Sequence, residues 1–353
     1  MRVLFLGDIQ HPNSQNWVSA LRKYGDCQVE TWSLPWPSSV FGKIRRIIAF
    51  VTAPLSIRLR IMIFKPDIVI GYRVTSYGFL AAIAGSKNIV ISSQGESDVD
   101  SAFQKKNTLQ YKLKIGMARY AIRKAKLIHA WSDHMAKFIY ELGSEKSKVL
   151  VLHRGVDFAN LNVSRKKDNN SLVIIVTRSL YPEYRHNIII EAMSLLKERK
   201  IPFSLKIIGS GKDKIQLNKM VAKLNLTDEI KFFGRLNNES LIDEYEKSNV
   251  YVAMTITDGV SASLVEAMAC YCIPVVSNLE ANRLFIENNK NGYLINIDDT
   301  QQLANTLGDV WNKINEFEEI LKENRTLVEN FSSQEKNIKV FVSEYNKILN
   351  VGD

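Results

Sequence analysis

Short apolar, β-branched runs alternate along the chain with longer stretches in which apolar residues recur every three or four positions. The runs at 2–6 (RVLFL), 28–32 (QVETW), 67–71 (DIVIG), 89–92 (IVIS) and 148–152 (KVLVL) read as strands, and the stretches between them as amphipathic helices. Strands separated by helices predict a parallel, doubly wound sheet, because a parallel connection has to cross back over one face of the sheet. The alternation restarts at 171–176 (SLVIIV) and continues at 204–208, 229–233, 250–254 and 273–277. The expected fold class is α/β, with two Rossmann-like doubly wound domains facing a central cleft, since open sheets of this kind take ligands beyond the carboxyl ends of their strands.

Between the two series, 162–171 (NVSRKKDNNS) has no apolar periodicity and reads as a linker. The expected domains are 1–165 and 166–330. Past Thr300 only helical patterns remain, and the last of them sets Ile338, Phe341, Val342, Tyr345 and Leu349 on one face that needs something to pack against. At 353 residues and 46% hydrophobic content, the chain is large enough for two cores.

Three cysteines, Cys27, Cys270 and Cys272, are too few for a disulfide framework and show no zinc spacing, which fits a reducing compartment. The opening MRVLFLGD meets Asp8 after a short apolar run without a small-residue cleavage site, so it reads as a buried strand and the expected location is cytoplasmic. The stretch Ile44 to Phe64 is interrupted by Arg45, Arg46, Pro54, Arg58 and Arg60, and no membrane-spanning helix is expected there. A net charge of +10 favours an anionic partner. Nucleic acid is set aside for want of a recognition motif. The segments 41–64 and 104–128 mix basic with large apolar residues. They fit either a peripheral seat on an anionic membrane surface, the inner face of the plasma membrane, or buried helices edged by solvated charge.

The densest chemistry lies in 254–294, which reads strand, loop, helix, strand, helix, strand. Asp258 falls in the loop beyond a strand's carboxyl end, Gly259 and Val260 follow it, and Ser261 opens a helix whose free amides suit phosphate. Glu266 stands about 7–8 Å along that helix at 1.5 Å per residue, a spacing that suits the ribose hydroxyls of the same nucleotide. The structural alternative is that Asp258 and Ser261 cap the helix and Glu266 is a solvated charge. Gly209 and Gly211, with Lys212 beside them, sit between a strand and a helix and serve equally as phosphate contacts or as turn makers.

An acidic residue, seven others, then Glu in an EAMA helix, followed by a Pro-containing strand and NGYL at 291–294, resembles the signature of the retaining glycosyltransferase family 4. Its DGVS form resembles the branch associated with bacterial surface polysaccharides, with Asp258 where the family usually has Glu. TRSLYPEYRHNIIIEAM at 177–193 is similar to the family's diphosphate-binding loop: Arg178 matches its Arg, while its Lys falls at Tyr184 with Arg185 alongside. FFGRL at 232–236 resembles the strand end beside which the family's nucleotide base stacks, which would make Arg235 a base contact, the alternative being a solvated strand-end charge. In the first half, 13–25, 65–71, 130–143 and 153–157 also resemble family landmarks. Gln94, Gly95 and Glu96 occupy the place of a His-Gly pair.

The resemblance implies a GT-B enzyme whose last segment, 331–353, packs back on the amino-terminal domain. It implies retaining transfer of a sugar from a nucleotide-diphosphate donor, UDP in preference to GDP, to a glycan or lipid-linked acceptor in surface polysaccharide or lipopolysaccharide biosynthesis. Asp258 would contact the transferred sugar, Glu266 the ribose, and Asn13, Ser14, Gln94 and Glu96 would face the sugar or acceptor. The five histidines show no ligand pattern and the DVD triplet at 98–100 is not beside a nucleotide loop, so no metal and no cofactor are expected. The alternatives are an epimerase or phosphorylase of the same architecture, or a catalytically silent, membrane-associated partner of another transferase.

Overall fold

The computed structural model describes residues 1–36, 40–93, 109–153, 155–161, 170–258 and 261–350. The chain forms two compact units, Met1–Arg154 with Gln334–Asp353, and Gly155–Ser333.

The first unit is built on a parallel sheet of β1 (Arg2–Leu6), β2 (Gln28–Trp32), β3 (Ile68–Tyr72), β4 (Ile89–Ser92), β5 (Leu127–Ala130) and β6 (Val149–Val151), in the order β2-β1-β3-β4-β5-β6. Its described helices are α1 (Pro12–Tyr24), α2 (Val40–Phe64), α3 (Phe79–Ile83), α4 (Leu109–Lys124) and α5 (Asp133–Glu141). Alternate strand residues point to opposite faces. Leu4, Leu6, Val69, Ile91 and Ile128 accordingly join the core under α2, α3 and α4, whereas Val3, Phe5, Ile70, Val90 and Leu127 join the one under α1 and α5. Burial on both faces is why these strands appear in sequence as continuous apolar runs. β5 was not separable in the sequence, because its four residues follow α4 with neither Gly nor Pro between them.

The second unit carries β7 (Leu172–Val176), β8 (Phe203–Ile208), β9 (Ile230–Gly234), β10 (Val250–Ala253), β11 (Ile273–Ser277) and β12 (Tyr293–Ile295), all parallel, in the order β12-β11-β10-β7-β8-β9. Around them lie α6 (His186–Glu198), α7 (Lys214–Lys223), α8 (Asn238–Glu246), α9 (Ala262–Ala269), α10 (Glu280–Arg283), α11 (Thr300–Asn312) and α12 (Glu318–Ser332). The chain steps outward through β8 and β9, then returns to place β10 on the other side of β7. That reversal makes β7 and β10 the switch point of the sheet, where doubly wound sheets form a crevice at the carboxyl ends of the strands.

The last helix, α13 (Gln334–Asn350), belongs to the first unit, where Ile338, Phe341 and Tyr345 are fully buried beside Trp17 and Trp131. The units divide at 154/155, earlier than the expected 165/166, a position outside the described residues, as is most of the polar stretch taken for a linker. The reason is that 155–161 is already tied to the second unit. The Val156 N–H donates to Ser332 O at 2.7 Å and the Arg325 guanidinium to Leu161 O at 3.1 Å, with Leu161 buried. α2 also departs from expectation, running unbroken through all four arginines and Pro54. By length and composition its residues Ile44–Phe64 would suffice to cross a membrane.

One buried titratable group gives the first unit an acid liability. The His129 ring packs against Trp17, Trp131 and Phe341, with centroids 5.5, 4.6 and 4.2 Å away. Its Nε2 lies 3.0 Å from Leu152 O, which can only accept, so the assigned tautomer donates there and takes a bond from Ser92 Oγ at Nδ1, 3.3 Å away. Burial pushes the imidazole down to about 3, against the weaker upward pull of the Leu152 bond. Below its ordinary pKa of 6.5 the unfolded chain takes up a proton that the folded chain refuses, so this contribution is intact above pH 6.5 and is lost as pH falls towards 3, by up to about 1.4 kcal/mol per pH unit. Denaturant unfolding of His129→Leu is expected to lose stability between pH 6.5 and 4 less steeply than the unaltered chain; equal slopes would contradict this.

Candidate active site

Thr177 and Arg178 continue directly from β7, and Thr255 to Asp258 follow the end of β10, so both lie at the crevice. Ser261 is extended (φ −75°, ψ 112°) and its Oγ accepts the Leu264 N–H at 3.2 Å, a side-chain cap that fixes where α9 starts. Arg178 Nη2 donates to the Asp258 carboxylate and, at 2.5 Å, to Ser261 Oγ. The strand reversal thus joins residues 80 positions apart into one polar cluster.

The cluster is sheltered. The Arg178 and Asp258 side chains are only 13% and 17% exposed, and Tyr251 beneath them is fully buried. The Tyr184 ring lies 5.7 Å from the guanidinium, within cation–π range. Burial would push the Arg178 pKa down, but Tyr251, Asp258 and Tyr184 push it further up, so the guanidinium stays charged. Burial and then the Arg178 cation push His186 down to about 4, leaving a neutral imidazole beside it at pH 7. A second layer holds the strand ends in place: Thr177 Oγ1 and Tyr245 OH are 2.7 Å apart, Tyr245 OH donates to Ser263 O at 3.3 Å, and Ser263 Oγ donates to Thr177 O at 3.3 Å.

Glu266, half-buried on α9, faces the Tyr245 hydroxyl, whose pKa is raised by burial first and by Glu266 second. Gly209 (φ +153°) and Gly211 are required by backbone crowding: a Cβ on the first would lie 2.0 Å from Arg178 O and one on the second 2.1 Å from Leu180 O. Both glycines therefore let the loop after β8 press on the loop that carries Arg178. Arg185, in the left-handed region at φ +51°, is engaged with Asp298 at 2.6 Å, and Lys212 and Arg235 are solvent-exposed. In the other unit, Asn13 and Ser14 begin α1, where Ser14 is 1% exposed and Asn13 N–H donates to His11 Nδ1 at 3.2 Å. Gln94, Glu96, Gly259, Val260 and the DVD triplet lie outside the described residues.

Sequence reasoning missed Tyr251, hidden in an apolar strand, and Thr255, 1% exposed. The Thr255 hydroxyl and the buried Arg178 Nε–H have no hydrogen-bond partner, a cost of about 1–3 kcal/mol each. Among the described residues, no group of three or more His, Cys, Asp or Glu is placed to hold a metal ion.

Residues 157–328 match the family described as glycosyl transferases group 1. The chain is 24% identical over 271 residues to an uncharacterized glycosyltransferase of Methanocaldococcus jannaschii, covering 74% of this chain and 68% of that protein. It is 28% identical over 171 residues to the amylovoran biosynthesis glycosyltransferase AmsK of Erwinia amylovora (46% and 42% covered). It is 26% identical over 242 residues to an Escherichia coli UDP-Gal:alpha-D-GlcNAc-diphosphoundecaprenol alpha-1,3-galactosyltransferase (64% and 61%). The aligned part is thus between 42% and 68% of each relative's length. Among solved structures, a Rickettsia africae glycosyltransferase superposes with a TM-score of 0.79 at 16% identity, covering 99% of this chain and 98% of its own. Anabaena HepE in complex with UDP-glucose gives 0.74 at 17%, covering 98% and 99%. At such identities these likenesses establish the fold, two α/β domains of GT-B type.

A buried ion pair broken on one side leaves an uncompensated charge, whereas removing both partners does not. Arg178→Met is therefore expected to destabilise the second unit by about 3 kcal/mol, and Arg178→Met with Asp258→Asn by less. A double-mutant cycle by chemical denaturation checks this; additive losses would show that the two side chains do not depend on each other.

Proposed function

We propose that this chain, a glycosyltransferase of group 1 and of the GT-B fold, moves a sugar from a nucleotide-diphosphate donor, UDP in preference to GDP, to a glycan or lipid-linked acceptor during surface polysaccharide biosynthesis. The observation that carries this reading is the meeting of Arg178, Asp258 and Ser261 where the strand order reverses. A buried guanidinium, a helix N-terminus and an adjacent carboxylate are what a diphosphate bonded to a hydroxyl-rich ring requires.

In this reading the diphosphate takes the place of Asp258 on the Arg178 guanidinium, satisfies the Arg178 Nε–H, and receives the amides at the start of α9. The charge that builds on the departing diphosphate then meets a fixed cation already stripped of water, so transfer proceeds without a metal ion. Asp258, displaced from Arg178, accepts from a hydroxyl of the transferred sugar. Glu266, about 7–8 Å along α9, takes the ribose hydroxyls. Tyr184 stands where a lysine would add a second cation and instead presents its ring to Arg178. We take the transfer to retain anomeric configuration, with the acceptor hydroxyl attacking from the face the diphosphate leaves, so that no protein nucleophile is needed. The amylovoran and diphosphoundecaprenol relatives support the acceptor class, and the UDP-glucose complex of Anabaena HepE supports the donor.

Thermal shift with UDP- and GDP-sugars is expected to show stabilisation by UDP-sugars first. Glu266→Ala should then weaken nucleotide binding by about tenfold or more, while Asp258→Ala should lower kcat by about 100-fold with nucleotide binding largely kept, from the value of hydrogen bonds to charged groups. Unchanged binding and turnover in both variants would refute these roles.

A further inference from the structure

We infer that the first unit docks on an anionic lipid surface through the outer face of α2, lying in the plane of the interface. α2 is apolar on two sides. Its inner stripe, Ala53 and Ile57 with Phe50 and Phe64 beside them, packs into the core of the unit. Its outer stripe, Ile44, Ile48, Val51, Leu55, Leu59 and Met62, is between 52% and 76% exposed, the largest run of exposed apolar side chains on any described helix. At 100° per residue these six span roughly 80° of the helix circumference, and the exposed Ile47, just past the exposed Arg58, widens the arc to roughly 120°. A helix apolar all round is normally enclosed, and single scattered apolar residues, unlike a continuous stripe, are what a soluble surface tolerates.

The charge around the stripe identifies what covers it. α2, 25 residues long, and α4, 16 residues long, carry five Lys or Arg each and no Asp or Glu. Both helices pack on the same core, so they flank one face of the sheet. α4 adds Leu109 and Leu113, 75% and 60% exposed and four residues apart on one side, with Lys112 exposed between them. On α2, Arg45 and Arg58 are exposed, whereas Arg60 pairs with Glu30 and Arg46 donates to Pro35 O at 3.0 Å. An apolar stripe on helices whose charges are all positive, with the exposed Arg45 and Arg58 to either side, matches acyl chains beneath anionic headgroups. A second copy would fit poorly, because a two-fold interface would bring the same positive borders face to face. Crossing the bilayer would withdraw Ala53 and Ile57 from the core, so the helix, about 37 Å long at 1.5 Å per residue, lies flat.

The test needs no sugar donor. The full chain is floated with vesicles of phosphatidylcholine alone and with one third phosphatidylglycerol, beside the variant Val51→Glu with Leu55→Glu, whose altered side chains are 72% and 76% exposed and so leave the core intact. Expected are at least tenfold stronger binding to the anionic vesicles, weakening as salt is raised, and at least tenfold loss of that binding in the variant, with thermal unfolding and nucleotide binding unchanged. The inference is overturned if the unaltered chain does not bind anionic vesicles, if the variant binds them equally well, or if the stripe instead mediates a vesicle-free dimer that the variant dissolves. Any of these outcomes leaves the donor site as described, since nucleotide binding is read on the same samples.

Discussion

A guanidinium held almost out of water at the end of a strand has to be matched by a carboxylate or an equivalent anion, and that requirement organises the second unit. Arg178 at the end of β7 meets Asp258 and Ser261 beyond β10. The match exists only because the chain leaves β7 in one direction and comes back on its other side. The glycines after β8 are needed because the Arg178 and Leu180 carbonyls occupy the space a Cβ would take. The link from Thr177 through Tyr245 to Ser263 ties the end of β7 to the start of α9, above the buried Tyr251. Asp258 supplies the anion that this buried cation requires.

Much of this was legible in the sequence, for physical reasons that differ by element. The strands at 89–92, 250–253 and 273–277 were legible because both faces of a parallel sheet are buried and the runs are almost wholly apolar. Ser261 was legible as a helix start because an N-cap needs an oxygen on a short side chain. β5 was not, since four residues after a helix carry no periodicity of their own. The engagement of Arg185, next to the family's Lys position, was not legible, since its left-handed backbone and its bond to Asp298 are tertiary facts. The division of the chain at 154/155 was hidden for a similar reason: the polar stretch advertises solvent, while the anchoring of Val156 and Leu161 is made by residues more than 150 positions away.

α2 shows the opposite failure, in which composition misled. Arginines and a proline were taken as interruptions, yet at 3.6 residues per turn Arg46 and Arg60 fall on the side where Pro35 O and Glu30 receive them, and the exposed Arg45 and Arg58 fall to either side of the outer apolar stripe. The proline replaces one intrahelical donor without ending the helix. Charge spacing decides what such a helix is for, and counting charges alone hides it.

The account as a whole turns on Arg178 exchanging one anion for another. A crystal structure of the chain soaked with UDP would test this most directly. The expected result is diphosphate oxygens within hydrogen-bond distance of the Arg178 guanidinium, the Asp258 carboxylate separated from it, and the ribose beside Glu266. UDP bound elsewhere, or bound with the Arg178–Asp258 contact intact, would contradict it.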